Sequence, residues 1–275
     1  GLTNPTGTGT TISPSGTLGT TTYYATETIN GTESLADSVK ITVNPLPAAP
    51  VAGSPAPYCE GETLSDLTAG GSGGTLTWYS DAGLSTVVAT GSTYTPSVSV
   101  SSSFYVTETT TGCESPATVV TITINDLPTA DAGSDQIICN GETTSVSASG
   151  GVSYNWTPAL PSIPNPTVQP MATTTFVVTV TGANSCTDKD TVTVYVNPLP
   201  PVPTVTQNGS TLTSSAATAY QWYFNGSLIA GATSQSHTAT QTGNYSVEIT
   251  DANGCKNTSS TVLVEVSGVG DNILL

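Results

Sequence analysis

The chain contains no arginine, and its only lysines are Lys40, Lys189 and Lys256 against 19 acidic residues, for a formal net charge of −16. Displacing counterions from phosphates takes clustered Lys and Arg, so nucleic acid is excluded as a partner. Attraction to anionic membrane surfaces fails for the same reason. Apolar runs are short throughout, far below the roughly 20 residues that cross a bilayer as a helix, so membrane insertion is not expected. The opening residues GLTNPTGTGT carry neither the charged nor the apolar region of a signal peptide. Histidine occurs once, at His237 in SQSHTAT. At most one His-based triad is therefore available, and no Gly-x-Ser-x-Gly elbow accompanies it. His237 reads as an ordinary exposed strand residue, and the chain is not expected to be an enzyme. Cofactors are expected to be none.

What is present is Thr, 53 of 275 residues, together with 27 Gly and 19 Pro spread along the chain. β-branched residues and turn formers in this proportion favour short strands joined by tight turns. The apolar content of 36% is modest but alternates with polar residues, which separates it from a disordered composition.

The chain repeats itself. VNPLP at Val43–Pro47 returns at Val196–Pro200, and INDLP stands between them at Ile124–Pro128. Each copy follows an alternating segment, and the prolines stiffen what reads as an inter-domain joint. Within the intervals, an aromatic strand recurs around Trp78 (TLTWYS), Trp156 (SYNWTP) and Trp222 (AYQWYF). A Gly-bearing turn with a cysteine follows each: TTGCES (Cys113), ANSCTD (Cys186) and ANGCKN (Cys255). Several short strands per 70–80 residues, with turn signals between them, are the signature of a β-sandwich. The three Trp read as inner-face core residues.

Residues Thr11–Ser34 match Thr93–Ser115 with one insertion, Thr32 standing where Cys113 stands. The leading segment therefore reads as the second half of such a unit, and the chain as a piece of something longer. The expected fold is all-β: tandem small β-sandwiches in an extended rod, with the first present only as its C-terminal half. The boundaries are 1–43 for that half; 48–124, 129–196 and 201–267 for complete sandwiches; and 268–275 for a terminal linker. At about 3.3 Å per strand residue such a rod exceeds roughly 100 Å.

Cysteine spacing points to one disulfide per unit, Cys59 with Cys113 and Cys139 with Cys186, in an oxidising compartment. Cys255 is left as an unpaired thiol. No CxxC or His cluster supports a transition metal. Calcium is the stronger metal option: Asp126, Asp131 and Asp135 fall at a joint, Asp188 and Asp190 follow Cys186, and hard cations take several oxygen ligands. Against it, no EF-hand spacing exists, and acidic surface alone keeps a secreted rod soluble. Tyr79, Tyr154, Tyr220 and Tyr223 flank the tryptophans and are candidates for a carbohydrate-stacking face.

The unit CEGETL…WYSDAGLSTVVATGSTYTPS…YVTETTTGCESPATVVTITI resembles the immunoglobulin-like repeats in large surface proteins of gliding bacteria that use type IX secretion. ADAGSDQIICNGETTSVSASGGVSYNWTPA…TGANSCTDKDTVTVYV is similar to the PKD-like repeats of those proteins. AYQWYFNGSLIAGATSQSHTATQTGNYSVEITDANGC resembles the module that precedes their C-terminal sorting domain, and GVGDNILL the linker into it. The resemblance implies export to the outer surface or medium of a bacterium and a structural or adhesive segment, acting as a stalk or self-assembling fibre component. Its partners would be other copies of itself, or extracellular glycans and proteins. A non-catalytic tail of a secreted hydrolase and a carbohydrate-binding module are the alternatives. DSV at Asp37–Val39 and DTV at Asp190–Val192 match the O-glycosylation pattern of this bacterial group, which would place glycan on Ser38 and Thr191.

Overall fold

A computed structural model describes residues 7–14 and 16–266; the terminal-linker reading of 268–275 lies outside them. Among the described residues every regular element is a β-strand. The chain divides into two compact units, Gly1–Asp126 and Leu127–Leu275.

The first unit opens with a hairpin. Strand Gly19–Ala25 pairs antiparallel with Asp37–Val43, Tyr23 facing Val39. The pairing continues at the tip through Thr28–Ile29 and Thr32–Glu33. The two-residue tip Asn30-Gly31 has positive φ at both positions, 49° and 80°, the geometry that Asn-Gly favours in tight hairpins. Its side chains are exposed or half-buried.

A sandwich follows. One sheet runs Thr93–Tyr94, Leu67–Gly70, Val51–Ala52; the other runs Cys113–Glu114, Ser102–Thr110, Thr75–Tyr79, Val87–Thr90, with Thr118–Ile122 also on Ser102–Thr110. Alternation aims Leu67, Ala69, Leu76, Trp78, Phe104, Val106, Val120 and Ile122 between the sheets. Trp78 is fully buried, and its indole N–H donates to the carbonyl of Gly91 at 3.0 Å, so its one polar atom is satisfied inside the core. Each such side chain contributes about 1.5–3 kcal/mol of burial. Tyr94 fills the space between Trp78 and Phe104, with ring centroids 6.0 and 5.0 Å away.

The second unit holds two cores. Around Trp156, Gln136–Cys139 runs parallel to the end of Thr187–Asn197, which pairs with Thr174–Thr181 and through it with Ser153–Thr157. The facing sheet is the short pair Thr144–Ser145 and Thr167–Val168. Around Trp222, Val205–Asn208, Thr211–Ser214 and Ser236–Thr238 face a sheet of Ser227–Leu228, Ala219–Phe224, Gly243–Thr250 and Lys256–Thr258, with Val262–Val264 paired to the start of Gly243–Thr250. Both indoles donate to backbone carbonyls, Trp156 to Ile163 at 3.2 Å and Trp222 to Ser234 at 2.9 Å. Tyr245, at the start of its strand, donates back to the carbonyl of Gln241 at 3.0 Å, the tyrosine-corner arrangement of immunoglobulin-like sandwiches.

Candidate functional site

The chemistry of this chain concentrates at two kinds of turn. In the first, Cys-x-Gly-Glu closes on itself. The Cys59 amide donates to the Glu62 carboxylate at 2.9 Å and the Glu62 amide to the Cys59 carbonyl at 3.1 Å. Cys139 and Glu142 repeat this at 2.8 and 3.0 Å. Gly61 and Gly141, both at positive φ, make the corner at no steric cost. Parallel pairing then sets each cysteine beside the exit strand of its own sandwich: Cys59 opposite Asn125, and Cys139 opposite Asn197.

The second turn joins the last two long strands of each sandwich. Around Cys255, Asp251 accepts the amides of Asn253 and Cys255 on Oδ1 at 2.8 and 2.9 Å, and the Asp251 amide donates to the Cys255 carbonyl at 2.9 Å. The thiol position is thus fixed from both sides.

These placements correct the expected disulfides. Cys139 is bonded to Cys255, with Cα atoms 5.6 Å apart. Cys255 is not an unpaired thiol; Cys113 is the free one among the described residues. Cys59 and Cys186 are disulfide-bonded as well. The physical reason is strand length. Cys139 sits opposite Asn197, eleven residues beyond Cys186 along one continuous strand. At about 3.3 Å per residue that separates them by roughly 35 Å, whereas a disulfide needs Cα atoms within about 7 Å. The same geometry separates Cys59, opposite Asn125, from Cys113. Each cysteine pair expected within a sandwich therefore lies at opposite ends of it. The observed bond links the Trp156 sandwich to the Trp222 sandwich. Beside it, the Asn257 amide group donates to the Pro200 carbonyl of the second NPLP at 2.8 Å. A shallow depression lined by Pro200, Pro201, Ala217, Ile249 and Asp251 lies at the same joint.

The aspartates considered for calcium lace a strand. Asp188 and Asp190 accept the amides of Ala130 and Ala132 at 3.3 and 2.8 Å, and Asp135 accepts the amide of Thr193 at 2.7 Å. These bonds hold residues 130–135 along the edge of Thr187–Asn197, where a ladder partner would otherwise be required. Asp131 closes its own turn, taking the Gly133 amide at 2.9 Å, and Asp126 is exposed at the end of the first unit. Among the described residues there is no group of three or more His, Cys, Asp or Glu side chains arranged to hold a metal ion.

The flanking tyrosines are mostly committed to the fold. The Tyr79 hydroxyl donates to Glu114 at 2.9 Å, and burial, then that carboxylate, raises its pKa. Tyr154 donates to the Gly151 carbonyl at 2.9 Å, while the Tyr220 hydroxyl accepts the Ala217 amide at 2.7 Å. Tyr223 is half-buried. Ser38 and Thr191 lie exposed on strands. His237 differs from its surface reading: it is half-buried, stacked against Trp222 at 5.8 Å and 29° and tilted on Tyr245 at 5.7 Å. Burial holds its imidazole below the ordinary value.

Sequence reasoning missed Glu108. It is 1% exposed, in phase with the core residues Phe104 and Val106. Its carboxylate accepts the Ser72 amide at 2.8 Å on both oxygens, the Ser72 hydroxyl at 3.0 Å and the Gly74 amide at 2.5 Å. These backbone amides of Ser72 and Gly74 depress its pKa. A Cβ at Gly71 would collide with the carboxylate, and one at Gly74 with the Thr110 hydroxyl and the Thr109 carbonyl, which accounts for glycine at both positions in GGSGG. A glutamate in core phase opposite such a run was the available signal.

The family described as "Ig-like domain CHU_C associated" matches residues 47–125. The chain is a tandem of Ig-like β-sandwiches. Its similarity to solved structures is distant. Extracellular domains 3–5 of Drosophila OTK share 12% identity over 82% of this chain and 100% of that one, with a TM-score of 0.29. The Ca²⁺-stabilised adhesin with which an Antarctic bacterium binds ice shares 13% over 90% and 82%, at 0.36. The insect immune protein hemolin shares 13% over 81% and 73%, at 0.29. No curated protein matches the chain. Among the described residues no helix is long and apolar enough to cross a membrane.

Proposed function

We propose that this chain is an extracellular structural segment, a tension-carrying stalk of a bacterial surface or secreted protein. The observation that supports the reading best is the Cys139–Cys255 bond between consecutive sandwiches. A disulfide of this kind persists in an oxidising compartment, which accords with export. Closing a loop of 116 residues removes chain entropy from the unfolded state worth about 4–5 kcal/mol in the loop-entropy account. It also changes the path of force. Tension entering at Cys139 passes through sulfur to Cys255 and leaves almost all of both sandwiches out of the loaded path. Adhesion through protein surfaces and export by the type IX route belong to the same reading, resting on the family match over 47–125. No catalytic role is assigned.

Single-molecule pulling from the chain ends tests it. In the oxidised protein, rupture of the Trp156 and Trp222 sandwiches adds almost no length between Cys139 and Cys255. With Cys186→Ser in both proteins, so that no other disulfide reaches into this stretch, the further changes Cys139→Ser and Cys255→Ser gain about 400 Å at about 3.5 Å per released residue over the 116-residue separation. Equal gains in both proteins would remove the force-bearing reading.

A further inference from the structure

We propose that Cys113 and the leading hairpin form a receptor for the first half of an Ig-like sandwich. That partner carries a Cys-x-Gly-Glu turn whose cysteine bonds to Cys113 and a Gly-rich turn whose amides close on Glu27. The proposal extends the stalk reading by adding one joint and uses different residues from it.

The first observation is the joint already formed. Cys113 occupies the turn position of Cys255, which is bonded to the Cys-x-Gly-Glu cysteine of the sandwich before it. Ahead of Cys113 the sequence offers no cysteine before Cys59, and Cys59 is already bonded.

The second observation is Glu27, which repeats Glu108 atom for atom along the backbone. Ser34 accepts the Glu27 amide on Oγ at 2.9 Å and passes its hydroxyl to the Leu35 carbonyl at 3.0 Å. Ser115 does the same for Glu108 and the Pro116 carbonyl, at 2.9 and 2.8 Å. The Ser34 amide donates to Glu27 at 2.7 Å and the Ser115 amide to Glu108 at 2.9 Å. Glu108 ends against the amides of Ser72 and Gly74, but Glu27 is exposed. Amide donors presented by a Gly-Ser-Gly-Gly turn are the charge complement of that carboxylate.

The third observation is the core face. Val39 is 55% exposed where its counterpart Val120 is fully buried, although both strand pairs share one register. Gly83–Ser97, GLSTVVATGSTYTPS, also aligns without gaps on Gly1–Ser15, GLTNPTGTGTTISPS. The accepted piece therefore corresponds to residues 47–82. A second copy is the weaker occupant, since its own residues 47–82 are engaged, Trp78 being fully buried. On closure the two thiols lose two protons and two electrons and form one Sγ–Sγ bond. A disulfide oxidant, glutathione disulfide in the test, accepts them and departs as two thiols.

The test places a copy of residues 47–82 directly ahead of Gly1 and refolds the protein with glutathione disulfide. The unextended chain should take one maleimide, at Cys113. The extended chain should take none, should yield a Cys113 peptide linked to the added cysteine, and should exchange amides of residues 37–43 at least 100-fold more slowly. With the added cysteine changed to serine, slow exchange should persist and the thiol return. A protected hairpin with Cys113 still reactive overturns the bond. Unchanged exchange overturns the receptor, and Cys113–Cys113 dimers assign the second copy instead. If the extended chain does not fold, a peptide of residues 58–80 added to the unextended chain should slow hairpin exchange saturably, and its failure to do so counts against the receptor. None of these readouts touches Cys139 or Cys255, so the pulling result stands or falls separately.

Discussion

Two hairpins in the first unit have nearly the same sequence and nearly the same backbone, yet one is a core and the other a surface. Tyr23 faces Val39 as Phe104 faces Val120, and both tips turn on a glycine at positive φ, Gly31 and Gly112. Phe104, Val106, Val120 and Ile122 are buried under the sheet that carries Leu67 and Ala69. The equivalent face of the leading hairpin has no such cover among the described residues. Local sequence is therefore enough to set register and tip geometry, because adjacent strands need only a turn and alternation. Burial comes from the facing sheet. An isolated two-stranded hairpin is marginal in water, so the energetic difference between these two should be large.

The widest break in that comparison comes from deleting the same side chain twice. Ile122→Ala removes a fully buried residue and should cost about 2–5 kcal/mol, transfer and cavity together. Ile41→Ala, at the matching half-buried position, should cost below about 1 kcal/mol. Amide exchange of residues 118–122 and of residues 37–43 with rising denaturant measures each loss in its own hairpin. Similar losses would mean the leading hairpin is packed as tightly as the covered one.

A smaller separation should appear in acid. Amide hydrogen bonds hold the Glu108 carboxyl below its ordinary range. A depressed folded pKa gives stability that is complete above the unfolded value, about 4.3, and that disappears as pH falls through the folded value. The Trp78 sandwich should therefore lose melting temperature on acidification below about pH 4, and Glu108→Gln should flatten that slope while lowering stability at pH 7. Glu27→Gln should change neither. An acid slope that survives Glu108→Gln would assign it to other carboxylates.

The same contrast shows how much was legible in the sequence. Trp78, Trp156 and Trp222 announced three cores because a large aromatic between polar neighbours has one low-energy place in a strand. The all-β fold followed from Thr, Gly and Pro usage. The disulfides were misread because spacing along the chain says nothing about which end of a strand a turn occupies; Cys139 and Cys186 are close in sequence and a strand length apart in space. The aspartates near Cys186 looked like calcium ligands because an acidic cluster and a row of amide acceptors are indistinguishable without the strand beside them. Glu108 was passed over since its partners in GGSGG are backbone amides, which no residue type records.

The last comparison runs across three positions: Tyr94 and His237, both on strands, and Ile12, equivalent by alignment. Tyr94 lies between Trp78 and Phe104; His237 lies between Trp222 and Tyr245; Ile12 is 42% exposed. The slot beneath the core Trp accepts a ring, and of these occupants histidine is the one whose ordinary pKa lies near neutral pH. Burial lowers the His237 pKa, so neutral imidazole is favoured in the fold. Its contribution is complete above the unfolded value, about 6.5, and is lost as pH falls through the folded value. Trp222 fluorescence melts should show a slight decline between about pH 7 and pH 5 that the Trp78 sandwich lacks. His237→Phe should keep the stack and abolish the decline. A decline that persists in His237→Phe would show that the stacked imidazole is not what responds to pH in this sandwich.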